Sequence, residues 1–364
     1  MIASATRFFE QRDFVQTHTP VITSSDCEGA GEVFEVSTQD MADANAKEHR
    51  KPFFGAPKYL TVSSQLHLEA LAQSVSRVWT LSPTFRAEKS ETARHLSEFY
   101  MLEAEECFIT KLEDVMTVVE SLIKHVTEEL VDSKLGGELQ DWHRQTDTTG
   151  EEQITQKMDI RSRWAKMLSG ESWPRITYHQ AINLLQEATA ERGVSFETAV
   201  DYDAGLQTEH ERYLADVIGQ GGPVFVTDYP RAIKPFYMAP SGSGSGAQGD
   251  QETAACFDLL MPDVCEVVGG SMREHRLDVL EEAMLSKGLL LPRQNMDDAK
   301  GQEAAASDTK TEAGLDWYLD LRRYGSVPHG GFGLGFDRLL AYLAGVKNVR
   351  DVVTFPRSHG RCSC

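Results

Sequence analysis

The stretch "TFRAEKSETARHLSEFYMLEAE", residues 84–105, contains two apparent strands separated by a long polar segment. The first strand ends at Arg86, and apolar alternation resumes at Phe99. A turn between two strands needs only a few residues such as Gly, Asn or Asp, whereas this segment is rich in charged side chains. The pattern therefore predicts a β-hairpin whose loop has a function beyond reversing the chain.

The second strand of this hairpin has two faces, because side chains alternate along a strand. One face would carry Phe99, Met101, Glu103 and Glu105. Carboxylates beside apolar side chains are costly in a closed core but not beside an aqueous cleft. An arginine opposite an aromatic ring also suits a nucleotide, because the guanidinium binds phosphate while the ring stacks on a base. On this stretch alone, a salt-bridged surface hairpin remains the simpler interpretation.

A second motif is "GGFGLGFDRLL", residues 330–340. Its alternating glycines do not fit the G-x-G-x-x-G spacing of a dinucleotide-binding loop. Instead they leave one face of a strand bare, so that a ligand or a helix can lie against the backbone. Arg338 falls in the first turn of the following helix, where a cation opposes the helix dipole unless an anion is bound. Tight packing with a solvated arginine is the alternative.

The third motif is "FDLLMPDVCEVVGGSMREHR", residues 257–276. It predicts two strands that place Asp258 and Glu266 on either side of a turn, with Arg273 beyond a Gly-Gly-Ser corner. Two carboxylates beside a phosphate pocket are typical ligands of Mg²⁺, which prefers oxygen donors and keeps several waters. Two strand carboxylates alone do not define such a site.

The bulk composition is that of a globular protein with an acidic surface. The chain has 364 residues, of which 41% are hydrophobic and 25% charged, and its formal net charge is −20. This charge argues against a generally basic nucleic-acid-binding surface but is compatible with a local basic groove. Six scattered cysteines without a CxxC pair indicate reduced thiols in an intracellular compartment, cytoplasmic or mitochondrial. No apolar run is long enough to span a membrane.

The order of predicted elements indicates an α+β fold. Hairpins dominate, helices lie between them, and there is no regular βαβ repeat. We therefore expect a single domain over residues 1–364, built on an antiparallel sheet flanked by helices. Three segments are expected as loosely packed insertions that add loops rather than helices or strands: 133–170, 240–252 and 295–314.

Together these stretches resemble the three-motif core of class II aminoacyl-tRNA synthetases, specifically the aspartyl/asparaginyl branch. "FFEQRDFVQTHTPVIT" (8–23) resembles motif 1 with its proline, here Pro20; the opening hairpin resembles motif 2; and "GGFGLGFDRLLAYLAG" (330–345) resembles motif 3. "SSDCEGAGEVFEV" (24–36) and "VSSQLHLEALA" (62–72) are similar to the amino-acid pocket of the asparaginyl members. Several motifs in this order are far more specific than any one of them.

The resemblance implies a six- to seven-stranded antiparallel sheet flanked by helices, in a homodimer formed through the motif 1 region. The implied activity is the activation of asparagine by ATP and its transfer to tRNA(Asn). Members of the branch carry an N-terminal OB-fold that grips the anticodon. This chain begins inside motif 1, so we expect that OB-fold to be absent and only the acceptor end of the tRNA to be contacted.

The resemblance also implies which residues form the site. The residues expected to contact ATP are Arg86, Glu88, Arg94, His95, Phe99, Glu266 and Arg338. Those expected to contact asparagine are Glu28, Gln65, Glu103 and Arg273. Mg²⁺ is expected to be held by Asp258 and Glu266. Within the first set, either Arg94 or His95 would reach the outer phosphates.

Two arginines carry the expected catalysis. Arg86 would neutralise the α-phosphate and the amino-acid carboxylate as that carboxylate attacks phosphorus. Arg338 would bind the γ-phosphate and stack on the adenine face opposite Phe99, while Glu88 holds the adenine. No general base is needed because a carboxylate is already nucleophilic, so catalysis rests on positioning and electrostatics with help from the metal.

Two positions favour asparagine over aspartate as the substrate. Aspartyl members carry a lysine three residues after the glutamine that matches Gln65, where this chain has Leu68. They carry aspartate where this chain has Glu103, which could accept the amide N–H of asparagine and would repel a ligand carboxylate. Arg273 could donate to the remaining oxygen, and leaving such a buried group unpaired costs several kcal/mol in the wrong complex.

Two other kinds of function stay open at this point. An aspartyl-tRNA synthetase or an ammonia-dependent asparagine synthetase would activate aspartate, which Leu68 and Glu103 disfavour. A catalytically silent regulatory dimer would not need Arg86, Asp258 and Arg338, none of which is required for folding.

Overall fold

A computed structural model describes residues 1–24, 33–37, 52–90, 92–147, 159–170, 172–242, 252–290 and 314–362. The strands in these ranges are β1 (Val15–Gln16), β2 (Ile22–Thr23), β3 (Tyr59–Leu60), β4 (Arg77–Phe85), β5 (Glu98–Cys107), β6 (Arg175–Thr177), β7 (Val224–Thr227), β8 (Cys256–Met261), β9 (Cys265–Met272) and β10 (His329–Gly335). The α-helices are α1 (Ile2–Glu10), α2 (Gln65–Val75), α3 (Leu112–Val131), α4 (Lys134–Asp147), α5 (Ile160–Met167), α6 (Tyr178–Glu191), α7 (Thr208–Val217), α8 (Leu277–Ser286), α9 (Asp316–Arg323) and α10 (Phe336–Ala344).

Eight of these strands form one sheet in the order β1-β4-β5-β10-β9-β8-β7-β6, and β2 pairs with β3 separately. The six inner strands pair antiparallel, whereas β1–β4 and β6–β7 run parallel. The expected antiparallel sheet flanked by helices is therefore confirmed, but the expected count of six to seven strands is wrong. The outermost strands β1 and β6 have only two and three residues, too few to show an alternating pattern.

The largest apolar cluster lies between one face of the main sheet and helices α1, α3, α5 and α10. In it Phe9 of α1 stacks on Trp79 of β4 with ring centroids 4.7 Å apart. Leu102 and Ala104 of β5 point into this cluster. Because side chains alternate, the neighbouring position Glu103 faces the opposite side of the sheet, as the sequence predicted.

The described parts of the segment 133–170, which are 133–147 and 159–170, do not form the loose insertion that the sequence suggested. Helices α4 and α5 occupy much of this segment, and Ile160, Trp164 and Met167 are buried in the main apolar cluster. The indole Nε1 of Trp164 donates to the carbonyl of Leu343 at 2.9 Å. The expectation failed because α5 has only three apolar anchors, spaced four and three residues apart within a polar stretch. The spacing is helical, but the helix is short.

Most of the other two expected insertions, 240–252 and 295–314, lies outside the described residues. The single-domain expectation for residues 1–364 stays a prediction. Among the helices of the described ranges, none has the length and apolar content needed to cross a bilayer.

Replacing Trp164 with Ala should test whether α5 is part of the core. Loss of this buried indole leaves a cavity and removes a hydrogen bond, so the free energy of unfolding should fall by about 3–5 kcal/mol. Urea-induced unfolding followed by circular dichroism measures the change. The matched control is Trp142→Ala on α4, whose side chain is 51% exposed, and which should change stability by no more than about 0.5 kcal/mol. Equal effects of the two substitutions would contradict a docked α5.

Candidate active site

A cavity of about 320 Å³ lies on the face of the sheet opposite the main apolar cluster, where β5, β9 and β10 meet the loop between β4 and β5. Of the twelve residues predicted for the site, eleven line this cavity: Gln65, Arg86, Glu88, Arg94, His95, Phe99, Glu103, Asp258, Glu266, Arg273 and Arg338. Glu28 lies outside the described residues. Segments far apart in the sequence thus converge on one space.

Guanidinium groups gather at one end of the cavity. The Cζ atom of Arg86 lies 5.6 Å from the ring centroid of Phe99, and its Nη1 is 3.9 Å from a carboxylate oxygen of Glu88. Arg338 donates from Nη1 to the backbone carbonyl of Glu266 at 2.7 Å. Burial lowers the pKa of Arg338, and the charges of Arg94 and Arg86 add to this effect. Such a concentration of positive charge favours a polyanionic ligand.

The loop between β4 and β5 is fixed from two sides. Arg94 donates to the hydroxyl of Thr208 at the start of α7 and lies 3.8 Å from Glu211 on the same helix. On the other side, the Arg350 side chain donates to the backbone carbonyl of Thr92 at 3.2 Å. The backbone N–H of Ser97 donates to a carbonyl in the same segment as Arg350. The position of Arg94 is therefore determined by α7 rather than by the loop alone.

His95 is held inside the same loop. Its Nδ1 lies 2.9 Å from the Ser90 hydroxyl and 2.5 Å from the Thr92 hydroxyl, and its Nε2 lies 3.4 Å from Glu88. Burial lowers the pKa of His95, and the nearby Arg338 lowers it further. The lowered pKa favours the neutral ring, so of the two loop residues considered for the outer phosphates Arg94 is the one with a permanent charge.

Glu103 lies buried at the other end of the cavity. Its carboxylate accepts hydrogen bonds from the Ser63 hydroxyl at 2.5 Å and from the Ser64 N–H at 2.9 Å and 3.1 Å. A carboxylate has about four lone-pair positions, so it can accept further N–H groups from a ligand. Across from it on β10, a Cβ at Gly333 would lie 3.7 Å from Glu103 Cγ, which means that the side chain rests on bare backbone.

Arg273 is oriented by three partners beneath the same end of the cavity. It donates from Nη1 to Ser271 at 2.6 Å, from Nη2 to the amide oxygen of Gln65 at 2.5 Å, and from Nε to Glu105 at 3.2 Å. The amide nitrogen of Gln65 donates to Glu105 at 3.1 Å and to Glu69 at 3.2 Å. The two carboxylates and the guanidinium together fix which way the Gln65 amide points. A guanidinium has five N–H groups, so one on Nη1 remains for a ligand.

Sequence reasoning did not assign a role to Glu69 or Glu105. Glu69 is fully buried and accepts hydrogen bonds from Arg322 at 2.6 Å, Tyr318 at 2.8 Å and His329 at 3.0 Å. Burial alone would raise the pKa of Glu69, but Arg322 and His329 lower it well below its usual range. A glutamate on a helix normally indicates a solvated face, and its partners lie far away in the sequence, so no local pattern could reveal this role.

Glu105 could have been found from the glycine pattern. A Cβ at Gly331 would lie only 2.0 Å from Glu105 Oε2, so the bare face of β10 provides the space that this carboxylate occupies. Burial raises the pKa of Glu105, although Arg273 opposes the shift. Alternation had already placed Glu105 on the same face as Glu103.

The two predicted metal ligands face the same glycine of β9. A Cβ at Gly269 would lie 3.3 Å from Glu266 Oε1 and 3.6 Å from Asp258 Oδ1. Two carboxylates at one bare position suit Mg²⁺, which completes its coordination with waters and phosphate oxygens. In the described part of the chain, no group of three or more His, Cys, Asp or Glu side chains is arranged to hold a metal.

Lys234 and Glu211 also belong to this acidic region and were not predicted. Lys234 donates to both oxygens of Asp258, at 2.8 Å and 3.0 Å. Burial raises the pKa of Glu211 to about 7, and the charges of Glu266 and Asp258 contribute to the same shift. Neither residue has a local sequence signal, because each acquires its role only through contact with the strands.

Comparison with known proteins places the chain among tRNA synthetases. Residues 1–359 match the family described as tRNA synthetases class II (D, K and N). The chain is 41% identical over 354 residues to the mitochondrial asparagine–tRNA ligase of Saccharomyces cerevisiae, an alignment that covers 96% of this chain and 65% of that protein. It is also 41% identical over 361 residues to the asparagine–tRNA ligase of a Nostoc species, with 98% and 68% covered. The chain therefore spans about two thirds of the length of these relatives.

The fold is also similar to a solved structure, that of the asparaginyl-tRNA synthetase of Pyrococcus horikoshii complexed with asparaginyl-adenylate. The TM-score is 0.71 at 28% sequence identity, and the match covers 99% of this chain and 67% of that one. This likeness confirms the class II arrangement of sheet and helices that the motifs predicted.

Glu211→Gln should make the free energy of unfolding, measured by urea unfolding in EDTA, depend less on pH. The carboxyl has a pKa of about 7 when folded and about 4.5 when unfolded. The folded state therefore holds its proton more tightly, and this residue lowers stability as pH rises from about 5 to 8. The variant should be more stable than the parent at pH 8 by roughly 2–3 kcal/mol and equal to it near pH 5.

Glu209→Gln on the same helix is the control with the opposite sign. Glu209 accepts hydrogen bonds from the backbone N–H groups of Glu197 and Thr198 at 2.7 Å, which lower its pKa. The stabilisation that the ionised Glu209 carboxylate provides is present above its unfolded pKa and is lost as pH falls. Its replacement should therefore destabilise the protein at pH 7. A pH profile for Glu211→Gln that parallels the parent's would contradict the raised pKa.

Proposed function

The chain belongs to the class II tRNA synthetases (D, K and N), and on that premise we propose that it joins asparagine to tRNA(Asn) at the expense of ATP. The named relatives act on asparagine, and this chain spans about two thirds of their length. The observation that carries the proposal is the convergence of eleven predicted residues on one cavity. Guanidinium groups lie at one end of it and the Glu103 carboxylate at the other.

The cationic end of the cavity would take ATP. Phe99 would stack on the adenine, and Glu88 would accept a hydrogen bond from the adenine amino group. Arg86 would neutralise the α-phosphate, and Arg338 and Arg94 would hold the outer phosphates, since the His95 ring is engaged within its own loop by the Ser90 and Thr92 hydroxyls. Charge that develops at phosphorus is stabilised by groups already in position, which is the largest contribution in most enzymes of this kind.

The first step would form asparaginyl-adenylate. A carboxylate oxygen of asparagine attacks the α-phosphorus, the bond to the bridging oxygen breaks, and pyrophosphate leaves with the electron pair. No proton has to be removed in this step, so adenylate formation needs no general base. In the second step, a terminal hydroxyl of the tRNA attacks the activated carbonyl and the bond from that carbonyl carbon to the phosphate oxygen breaks. AMP leaves with the electron pair, and the hydroxyl proton passes to the leaving phosphate oxygen or to water.

Asp258 and Glu266 would hold the Mg²⁺ that accompanies ATP. When bound, this ion would supply positive charge to the phosphate oxygens. The two carboxylates face one bare position on β9, where no side chain of Gly269 separates them.

The other end of the cavity would select asparagine. Glu103 would accept the side-chain amide N–H, and the remaining Nη1–H of Arg273 would donate to the amide oxygen. Gln65, whose amide is oriented by Glu105 and Glu69, would keep one lone pair for the α-ammonium group. The Glu28 contact with the substrate stays a prediction.

The decisive experiment is ATP–pyrophosphate exchange with asparagine and aspartate side by side, followed by charging of tRNA(Asn). Size-exclusion chromatography in the same preparation tests the proposed homodimer through residues 8–23, where Val15 and Ile22 are exposed apolar side chains. Exchange with aspartate instead would favour an aspartate-activating relative, and the product with ammonia would identify which one. Folded, dimeric protein that exchanges with neither amino acid would reject the proposal.

Arg86→Ala should lower asparagine-dependent exchange by about 10³-fold, because it removes a preorganised cation at the reacting phosphate. Circular dichroism should show the parent's fold, since Arg86 contributes to no apolar cluster. Arg144→Ala on α4 serves as the control, because its exposed guanidinium pairs only with exposed Asp141 among the ion pairs of the described residues. Retained exchange in Arg86→Ala would refute the role given to this arginine.

Glu103→Gln should lower the preference for asparagine over aspartate. The variant loses the negative charge that repels a ligand carboxylate, and it loses one hydrogen-bond acceptor for the amide. Together these losses should cost about 1–3 kcal/mol of discrimination, which lowers the ratio of the two kcat/KM values by roughly 5–150-fold. Exchange kinetics with both amino acids measure that ratio. The control is Glu106→Gln, whose carboxylate lies on the opposite face of β5 and pairs with Arg77 at 2.6 Å. An unchanged ratio in Glu103→Gln would exclude Glu103 from selection.

A further inference from the structure

Lys234 forms an ion pair with Asp258, one of the two carboxylates proposed to hold Mg²⁺. Its Nζ lies 2.8 Å from one oxygen of Asp258 and 3.0 Å from the other, so a single ammonium spans both. The two side chains are only 16% and 12% exposed. The ring of Tyr229 lies beneath the ammonium, with its centroid 3.9 Å from Nζ. This is a well-formed and largely desolvated ion pair.

The carboxylate oxygens of Asp258 are also the atoms that a metal ion, or a water bound to it, would contact. Lys234 engages both of them in this structure, while the neighbouring Glu266 carboxylate lies against the same bare Gly269. Two cations on one carboxylate repel each other strongly in a partly buried site. A divalent ion that binds Asp258 therefore competes with the ammonium.

We propose that Lys234 is a built-in counter-ion of Asp258 that weakens binding of divalent cations to the free protein and makes tight binding depend on a phosphate ligand. This inference rests on the proposed function only for the identity of that ligand. A polyphosphate brings several negative charges to the cavity, so the ammonium can turn to a phosphate oxygen and release Asp258 to the ion. Metal and nucleotide would then bind with positive coupling, each raising the affinity for the other.

Other groups around Lys234 support a switching role over a purely structural one. The Glu266 carboxylate is close enough to stabilise the ammonium as well, and the phenol of Tyr229 also acts on Asp258. Lysine has a flexible stem with three N–H donors, of which Asp258 engages two. The third donor is the one that a phosphate could recruit before the pair separates.

The test is titration of the full chain with Mn²⁺ alone, without nucleotide, with the free ion followed by electron paramagnetic resonance. Lys234→Met should bind Mn²⁺ at least about tenfold more tightly than the parent, because the ion no longer competes with an ammonium. Lys234→Arg retains the charge and should bind as the parent does. In Lys234→Met/Asp258→Asn the gain should be lost, since the carboxylate is gone. Weaker or unchanged binding in Lys234→Met would overturn the proposal.

Thermal unfolding provides a second readout that does not depend on activity. Lys234→Met leaves Asp258 buried without its cation, so the variant should melt below the parent in EDTA. MgCl₂ should raise its melting temperature more than it raises the parent's, because the ion replaces the missing charge. Instability that MgCl₂ does not relieve beyond NaCl of equal ionic strength would contradict the proposal.

The two proposals can fail separately. Absence of exchange with either amino acid would reject the proposed ligase while the metal titration still decides the role of Lys234. Normal exchange combined with unaltered Mn²⁺ binding in Lys234→Met would reject the counter-ion and leave the ligase intact.

Discussion

Bare backbone at the centre of the sheet is the constraint on which the site depends. Strands β9 and β10 line the cavity partly with glycines, among them Gly269, Gly333 and Gly335. At Gly331 a Cβ would collide with the Glu105 carboxylate, and at Gly269 it would touch both Glu266 and Asp258. A sheet with ordinary side chains there would be a closed surface. The glycines instead allow charged groups from neighbouring strands to lie flat along the backbone, with the ligand above them.

The second principle of the site is local charge compensation. Glu69 pairs with Arg322, Glu105 with Arg273, and Asp258 with Lys234, in each case with little or no exposure to solvent. Buried ion pairs rarely add to stability, because desolvation offsets most of their attraction. Here each pair instead fixes the position of a carboxylate in or behind the cavity. Glu211 lies 3.8 Å from Arg94, but burial, together with the charges of Glu266 and Asp258, raises its pKa to about 7.

The sequence revealed the parts of the site that follow local rules. Alternation along β5 placed Glu103 on the face of the cavity, and the glycine pattern of β10 indicated a bare strand. The residues that were missed, such as Lys234 and Glu69, depend on partners that folding brings together. Glu69 and Arg322 are 253 positions apart, so neither residue's surroundings can be read from its neighbours. Helix α5 was missed for a different reason, since three buried side chains in a polar segment give too weak a periodic signal.

The hydrogen bonds that brace the loop between β4 and β5 have a consequence for the synthesis of the protein on the ribosome. The contact between Thr92 and Arg350 joins residues 258 positions apart. While the chain is being translated, motif 2 emerges long before the segment that steadies it. In a nascent polypeptide, this side of the loop therefore stays unbraced until every strand of the main sheet has been made. An aborted fragment that stops short of Arg350 would contain all of those strands and still lack this brace.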